Sequence, residues 1–161
     1  MSKVKNKFAL IIWILILGLQ TFIPAFKFNE IVIQADLILV LITFVSLQLG
    51  GEFAIIFGFV NGLIQDFSTQ NSLLGILTLS KSVAVYGIHF IQKYDTIWAR
   101  EVKMVYILSA YMLHNLIYYY FYLGANIPFL SAGIIVVLIQ SIISFLIFIV
   151  FEKILFKSKL L

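Results

Sequence analysis

The sequence predicts an all-α integral membrane protein, folded as one six-transmembrane-helix bundle over residues 1–161. Three observations point there. The chain is 63% hydrophobic and only 11% charged, with a mean hydropathy of +1.11, whereas soluble domains carry about a quarter charged residues. Apolar runs recur along its whole length and leave no room for a separate soluble domain. Basic residues gather beside those runs, where they set membrane orientation.

Composition also removes whole classes of function. There are no cysteines, which excludes disulfides, thiol catalysis and thiolate metal sites. The net charge of +4 does not indicate nucleic acid, because the lysines flank apolar runs and do not form a patch of their own.

The basic cluster MSKVKNK precedes an apolar run over residues 8–26, close to the roughly 20 residues a span requires. No small-x-small cleavage site follows it, so it reads as an uncleaved first helix entering from the cytoplasm. Pro24, Lys27, Asn29 and Glu30 mark its exit. The second span covers 33–49, with Asp36 near its start. Gly50-Gly51-Glu52 then breaks the chain, since glycine tolerates the dihedrals of a sharp turn. The third span, 53–66, is short; little tilt, a thinned bilayer or buried ends would accommodate it. A fourth span covers 73–91, and a polar loop with Lys93, Asp95, Arg100, Glu101 and Lys103 follows. The fifth covers 104–123 and stops at Gly124-Ala-Asn-Ile-Pro128. The sixth covers 129–151 and leads to a basic tail with Lys153, Lys157 and Lys159.

Six spans put both termini on one side. Nine of the eleven basic residues then share that side, while Lys27 lies opposite and Lys81 lies within a span. This asymmetry marks the shared side as cytoplasmic.

Polar groups inside the runs are the candidate functional residues. Gly58 and Gly62 form a G-x-x-x-G spacing, which lets another backbone approach closely; the spacing suits either packing within the chain or a seam for a partner. Gln65 and Asp66 end the third span and Asp36 begins the second, so both carboxylates lie toward the outer surface. Lys81 lies some eight residues into the fourth span, about 12 Å deep at 1.5 Å per residue. A lysine there costs on the order of 3 kcal/mol on insertion scales, so it snorkels or pairs with an anion. Asp66 is its nearest candidate partner in sequence and Asp36 the second. The cluster Asp36, Asp66 and Lys81 reads as an ion pair tying three helices together, or as a polar cavity open to the outside.

His114, Asn115 and His89 suit hydrogen bonding between helices, because isolated histidines without acidic neighbours at ligand spacing make no metal site. Tyr118, Tyr119, Tyr120, Phe121 and Tyr122 suit an interfacial aromatic belt. No phosphate loop, nucleophile elbow or H-E-x-x-H helix is present, so neither catalytic residues nor a cofactor is expected.

The central stretch adds a resemblance. Asp36-Leu-Ile-Leu, Gly58 followed by Gly62-Leu-Ile-Gln-Asp66, and Ser72-Leu-Leu-Gly75 resemble the rod shape-determining protein MreD family. Ala35 stands where a proline is common before the aspartate. The resemblance implies a non-enzymatic, multi-pass subunit of the bacterial inner membrane, serving lateral peptidoglycan synthesis. It implies MreC as partner, and through MreC the MreB filaments, RodA and its transpeptidase. It also implies a fold similar to the substrate-binding subunits of energy-coupling-factor transporters. The implied docking surface includes Gly58, Gly62, Gln65, Asp66 and Gly75.

A vitamin-binding transporter subunit is the competing reading. Such subunits dock through small residues in the first helix, and here only Ala9, Gly18 and Ala25 are small. A channel or proton carrier relaying through Asp36, Asp66 and Lys81 is disfavoured because all three gather toward one surface.

Overall fold

The computed structural model describes residues 13, 15–16, 18–20, 22–23, 25–28, 31–49, 51–69, 74–123 and 133–156. The N-terminal basic cluster, Pro24, Asn29, Glu30, Gly50, Ser72, the expected break at residues 124–128, and Lys157 and Lys159 of the basic tail lie outside them. The described part of the first apolar run is helical at Trp13, Leu15, Ile16, Gly18, Leu19, Gln20 and Phe22. Five further helices follow: α1 (Leu37–Leu49), α2 (Gly51–Thr69), α3 (Ile76–Lys93), α4 (Arg100–Leu123) and α5 (Ile134–Phe156).

One feature departs from an all-α chain. Strands β1 (Phe26–Phe28) and β2 (Ile31–Ile33) pair antiparallel, with Phe26 opposite Ile33 and Phe28 opposite Ile31. The hairpin falls where the sequence marks the exit from the first run. Three-residue strands at such an exit satisfy backbone groups that neither flanking helix can.

Helix lengths also shift. α2 is 19 residues long, about 28 Å at 1.5 Å per residue, so it is not the short segment expected at 53–66. α4 begins at Arg100, four residues before the apolar run. Its charged first turn is held because Arg100 bonds Glu152 of α5 at 3.0 and 3.3 Å, while Lys103 bonds Asp95. Among the described residues, one stretch, Ile134–Ile154, is by itself long and apolar enough to cross a membrane, with mean hydropathy 3.1; Leu37–Leu49 is apolar but shorter.

The core gathers Leu39, Val40 and Phe44 of α1, Ala84, Ile88 and Ile91 of α3, Ile107 and Tyr111 of α4, and Phe148 of α5. Phe44 stacks on Phe148 at 5.0 Å. The outward faces are as apolar as the core. On α5 the exposed residues Ile134, Leu138, Ile142, Leu146, Val150 and Ile154 recur every four positions and form one stripe along the helix. In water such a stripe would be a liability; against lipid it costs nothing.

α2 and α3 approach each other closely at Gly62. A Cβ built on Gly62 would collide with the Thr78 Cα and come within 2.8 Å of its backbone nitrogen. At Gly58 it would meet only side chains, Val85 at 3.2 Å and Ile42 at 3.6 Å. Both glycines therefore bring α2 onto neighbours in its own chain. Gly62→Ala must push two backbones apart, whereas Gly58→Ala asks one valine to move. Thermal unfolding in nanodiscs should show Gly62→Ala at or beyond the upper end of the roughly 1–3 kcal/mol overpacking range. Gly58→Ala should cost less and recover with Val85→Ala; equal losses for the two glycines would contradict this packing.

Candidate functional site

The polar groups of the bundle converge at the end where α1 begins and α2 turns into α3. Asp36 stands one residue before α1, and its Oδ1 accepts the Leu39 N–H at 2.9 Å, as an N-cap does. The Leu37 N–H is taken by Gln20 Oε1 at 2.8 Å. The first turn of α1 is thus capped by its own preceding residue and by a side chain from the first apolar run.

Asp36 Oδ2 then faces α3 and α4. It receives the Lys81 ammonium, and the His114 Nε2 lies 3.5 Å from it. Lys81 is fully buried and His114 nearly so. A buried carboxylate and ammonium each cost several kcal/mol of lost hydration, and only close pairing with further hydrogen bonds offsets this. Asp36 meets that demand with a cap bond, an ammonium and an imidazole on one carboxylate. Just beneath, Thr43 donates to the Leu39 carbonyl at 2.9 Å and receives the Tyr111 hydroxyl at 2.9 Å. Four elements are tied at one point.

The ranking of Lys81's partners from sequence is therefore reversed. Asp66 is also close enough for its charge to act on Lys81, but its oxygens are spent elsewhere. Oδ1 accepts the Leu77 N–H at 3.1 Å, and Oδ2 accepts the Thr78 N–H at 3.0 Å and the Thr78 hydroxyl at 2.6 Å. Gly75, with φ of 97°, occupies the N-cap position of α3 and has no side chain to offer. Asp66 supplies the missing cap from the end of the preceding helix, on the second and third N–H groups that a cap residue satisfies. Proximity in sequence could not reveal this competing demand.

Three glutamines enclose the cluster. Gln20 donates to the Ala35 carbonyl at 3.0 Å, and Gln34 donates to the Gln20 and Ile23 carbonyls, each at 3.1 Å. Gln140 of α5 accepts the Gln34 N–H at 3.1 Å and returns a bond to the Gln34 carbonyl. These amides satisfy the bare backbone between β2 and α1. Together with Asp36, His114, Asn115 and the tyrosines 118, 119 and 122 they line a cavity of about 210 Å³. Tyr118 packs against Tyr119 at 5.0 Å and against Tyr122 at 5.4 Å. Tyr118 and Tyr119 form a cavity wall, whereas Tyr120, Phe121 and Tyr122, which also borders the cavity, keep exposed rings that suit the aromatic belt.

The other candidates are placed as follows. Gln65 lines the cavity beside Asp66, Gly75 is the turn, and Gly58 and Gly62 lie within the α2–α3 contact. Asn115 bonds Ser141 of α5 at 2.9 Å. His89 packs beside Phe90 and joins none of these groups. Gln20, Gln34, Gln140, Tyr111 and Thr43 went unread in sequence; the signal was an amide or hydroxyl in an apolar run, which must find a partner. Trp13 was missed likewise, and its indole N–H bonds Asn61 of α2 at 2.8 Å. No group of three or more His, Asp or Glu among the described residues is placed to hold a metal.

The family described as rod shape-determining protein MreD matches residues 2–159, and the chain belongs to that family. No curated protein and no solved structure matches it.

Removing one member of the buried pair should be far worse than removing both. Lys81→Met leaves an uncompensated carboxylate and should cost about 3–5 kcal/mol, whereas Asp36→Asn with Lys81→Met together should recover much of that loss. Asp66→Ala should cost about 0.5–2 kcal/mol through the lost cap, and its coupling to Lys81→Met should be weaker than that of Asp36→Asn. Unfolding of these variants and of Asp36→Asn alone, in nanodiscs, checks both statements; coupling of Lys81 to Asp66 stronger than to Asp36 would refute them.

Proposed function

From membership in the MreD family, we propose that the chain is a non-enzymatic membrane subunit of the bacterial cell-elongation machinery. It docks the transmembrane helix of MreC and through it couples to MreB, RodA and the RodA transpeptidase. The family match across nearly the whole chain carries this reading. The bundle crosses the inner membrane six times, with both termini in the cytoplasm, where nine of eleven basic residues gather.

The polar chemistry of the site is consistent with a scaffold. The carboxylates Asp36 and Asp66 cap helices, Lys81 neutralises one of them, and the amides hold backbone. Docking then falls to the surface of the α2–α3 pair. The contact at Gly62 sets α2 against α3 and turns Phe53, Ile56, Val60 and Phe67 outward. These four follow a 3-4-7 spacing, one face of one helix, suited to a single partner helix.

Depletion in a rod-shaped native bacterium should round the cells; cells that stay rods would contradict the role. MreC recovered with the purified protein should fall by about tenfold or more in an Ile56→Trp, Val60→Trp variant, the loss expected when a packed interface residue is displaced. Leu138→Trp on the outward stripe of α5 should leave recovery unchanged. Undiminished MreC with the α2 variant would remove α2 from the interface.

A further inference from the structure

The cavity at the end of the bundle is larger than the capping network needs. We propose that it is a binding site for a small uncharged molecule rich in hydroxyl groups, the size of one sugar ring. This goes beyond the docking role and does not rest on it.

Charge comes first. Among the described residues of the lining Asp36 alone is charged, and Lys81 already neutralises it. A charged ligand would lose its hydration and gain no counter-ion, a net cost. The lining therefore selects neutral molecules.

Hydrogen bonding comes second. Two buried polar atoms of the lining have no partner, Gln65 Oε1 and His114 Nδ1. The His114 ring also lies beside the Ser80 backbone, yet its Nδ1 makes no hydrogen bond. Asp36, as an ionised carboxylate, can only accept, so the proton of the imidazole sits on Nε2 and leaves Nδ1 a lone pair. Both orphaned atoms are therefore acceptors, and a complementary ligand brings donors. Buried polar atoms of this kind are rare and ask for a partner.

Shape comes third. The packed rings of Tyr118, Tyr119 and Tyr122 give a flat aromatic wall. A volume of about 210 Å³ lies below the roughly 300 Å³ at which ordinary ligand pockets begin. One hydroxylated ring lying flat on a tyrosine, with its edge toward Gln65 and His114, meets all three conditions. Such a ring is either a free sugar or the headgroup of a glycolipid, since the cavity opens at the end of the bundle.

Calorimetry in phosphatidylcholine nanodiscs, prepared without sugar-headed detergent, tests this. Glucose and N-acetylglucosamine are the neutral free probes, glucosamine and glucuronate the charged ones, and octyl glucoside the membrane-borne one. Saturable binding of a neutral free sugar, with the charged probes at least about tenfold weaker, is expected. Binding of octyl glucoside alone would assign the site to a lipid headgroup. Gln65→Leu should weaken binding by about tenfold while the melting temperature stays put, and Tyr118→Leu should weaken it likewise. No saturable binding of any neutral probe, equal binding of the charged sugars, or no effect of either variant would overturn the proposal.

Discussion

Everything at the polar end of the bundle depends on the Asp36 carboxylate. It caps α1 through the Leu39 N–H and holds Lys81 of α3 and His114 of α4. An ammonium at such depth is tolerable only when an anion meets it. An anion so deeply buried is tolerable only when its lone pairs are filled. Each group makes the other possible, and the three helices must meet where both conditions hold. α5 is then added through Gln140, which grips the backbone of Gln34 two residues before Asp36.

The second constraint is the distance between α2 and α3. Gly62 has no Cβ to hold the two backbones apart. Four residues later Asp66 reaches across the same gap and caps α3. The two features reinforce each other, because the carboxylate reaches the Leu77 and Thr78 amides only if the helices are this close. Gly75, left-handed and without a side chain, lets the chain turn sharply and leaves the cap to Asp66. The Gly-Leu-Ile-Gln-Asp stretch is thus a packing device whose glycine and aspartate act together.

Much of this was legible in sequence, and the misses have physical reasons. The apolar runs overlap α1 to α5 in sequence, because burial of apolar surface dominates where helices lie. The helix starting at Arg100 was placed late, since its charged turn is stabilised by Glu152, 52 residues away. The resemblance to the MreD family was readable at Asp36, Gly62 and Asp66, and the match over residues 2–159 makes it membership. The partner of Lys81 was misjudged because sequence distance carries no information about which oxygens are already engaged. The pairing of Phe26–Phe28 with Ile31–Ile33 is hidden in sequence because three-residue strands leave too little periodicity to read. The glutamines gave a signal only in the sense that an amide in an apolar run must be satisfied; which backbone it satisfies is a tertiary matter.

In the role proposed above, the polar residues build the scaffold and the apolar exterior is left for lipid and partner. That division rests on Asp36 being ionised and paired inside the bundle. Difference infrared spectroscopy of wild type against Asp36→Asn, in nanodiscs at neutral pH, observes this directly. The expected difference is the loss of an ionised carboxylate band, with no protonated-acid band in the wild type. A protonated-acid band lost on the substitution would show Asp36 to be neutral, and the ion pair with Lys81 would not exist.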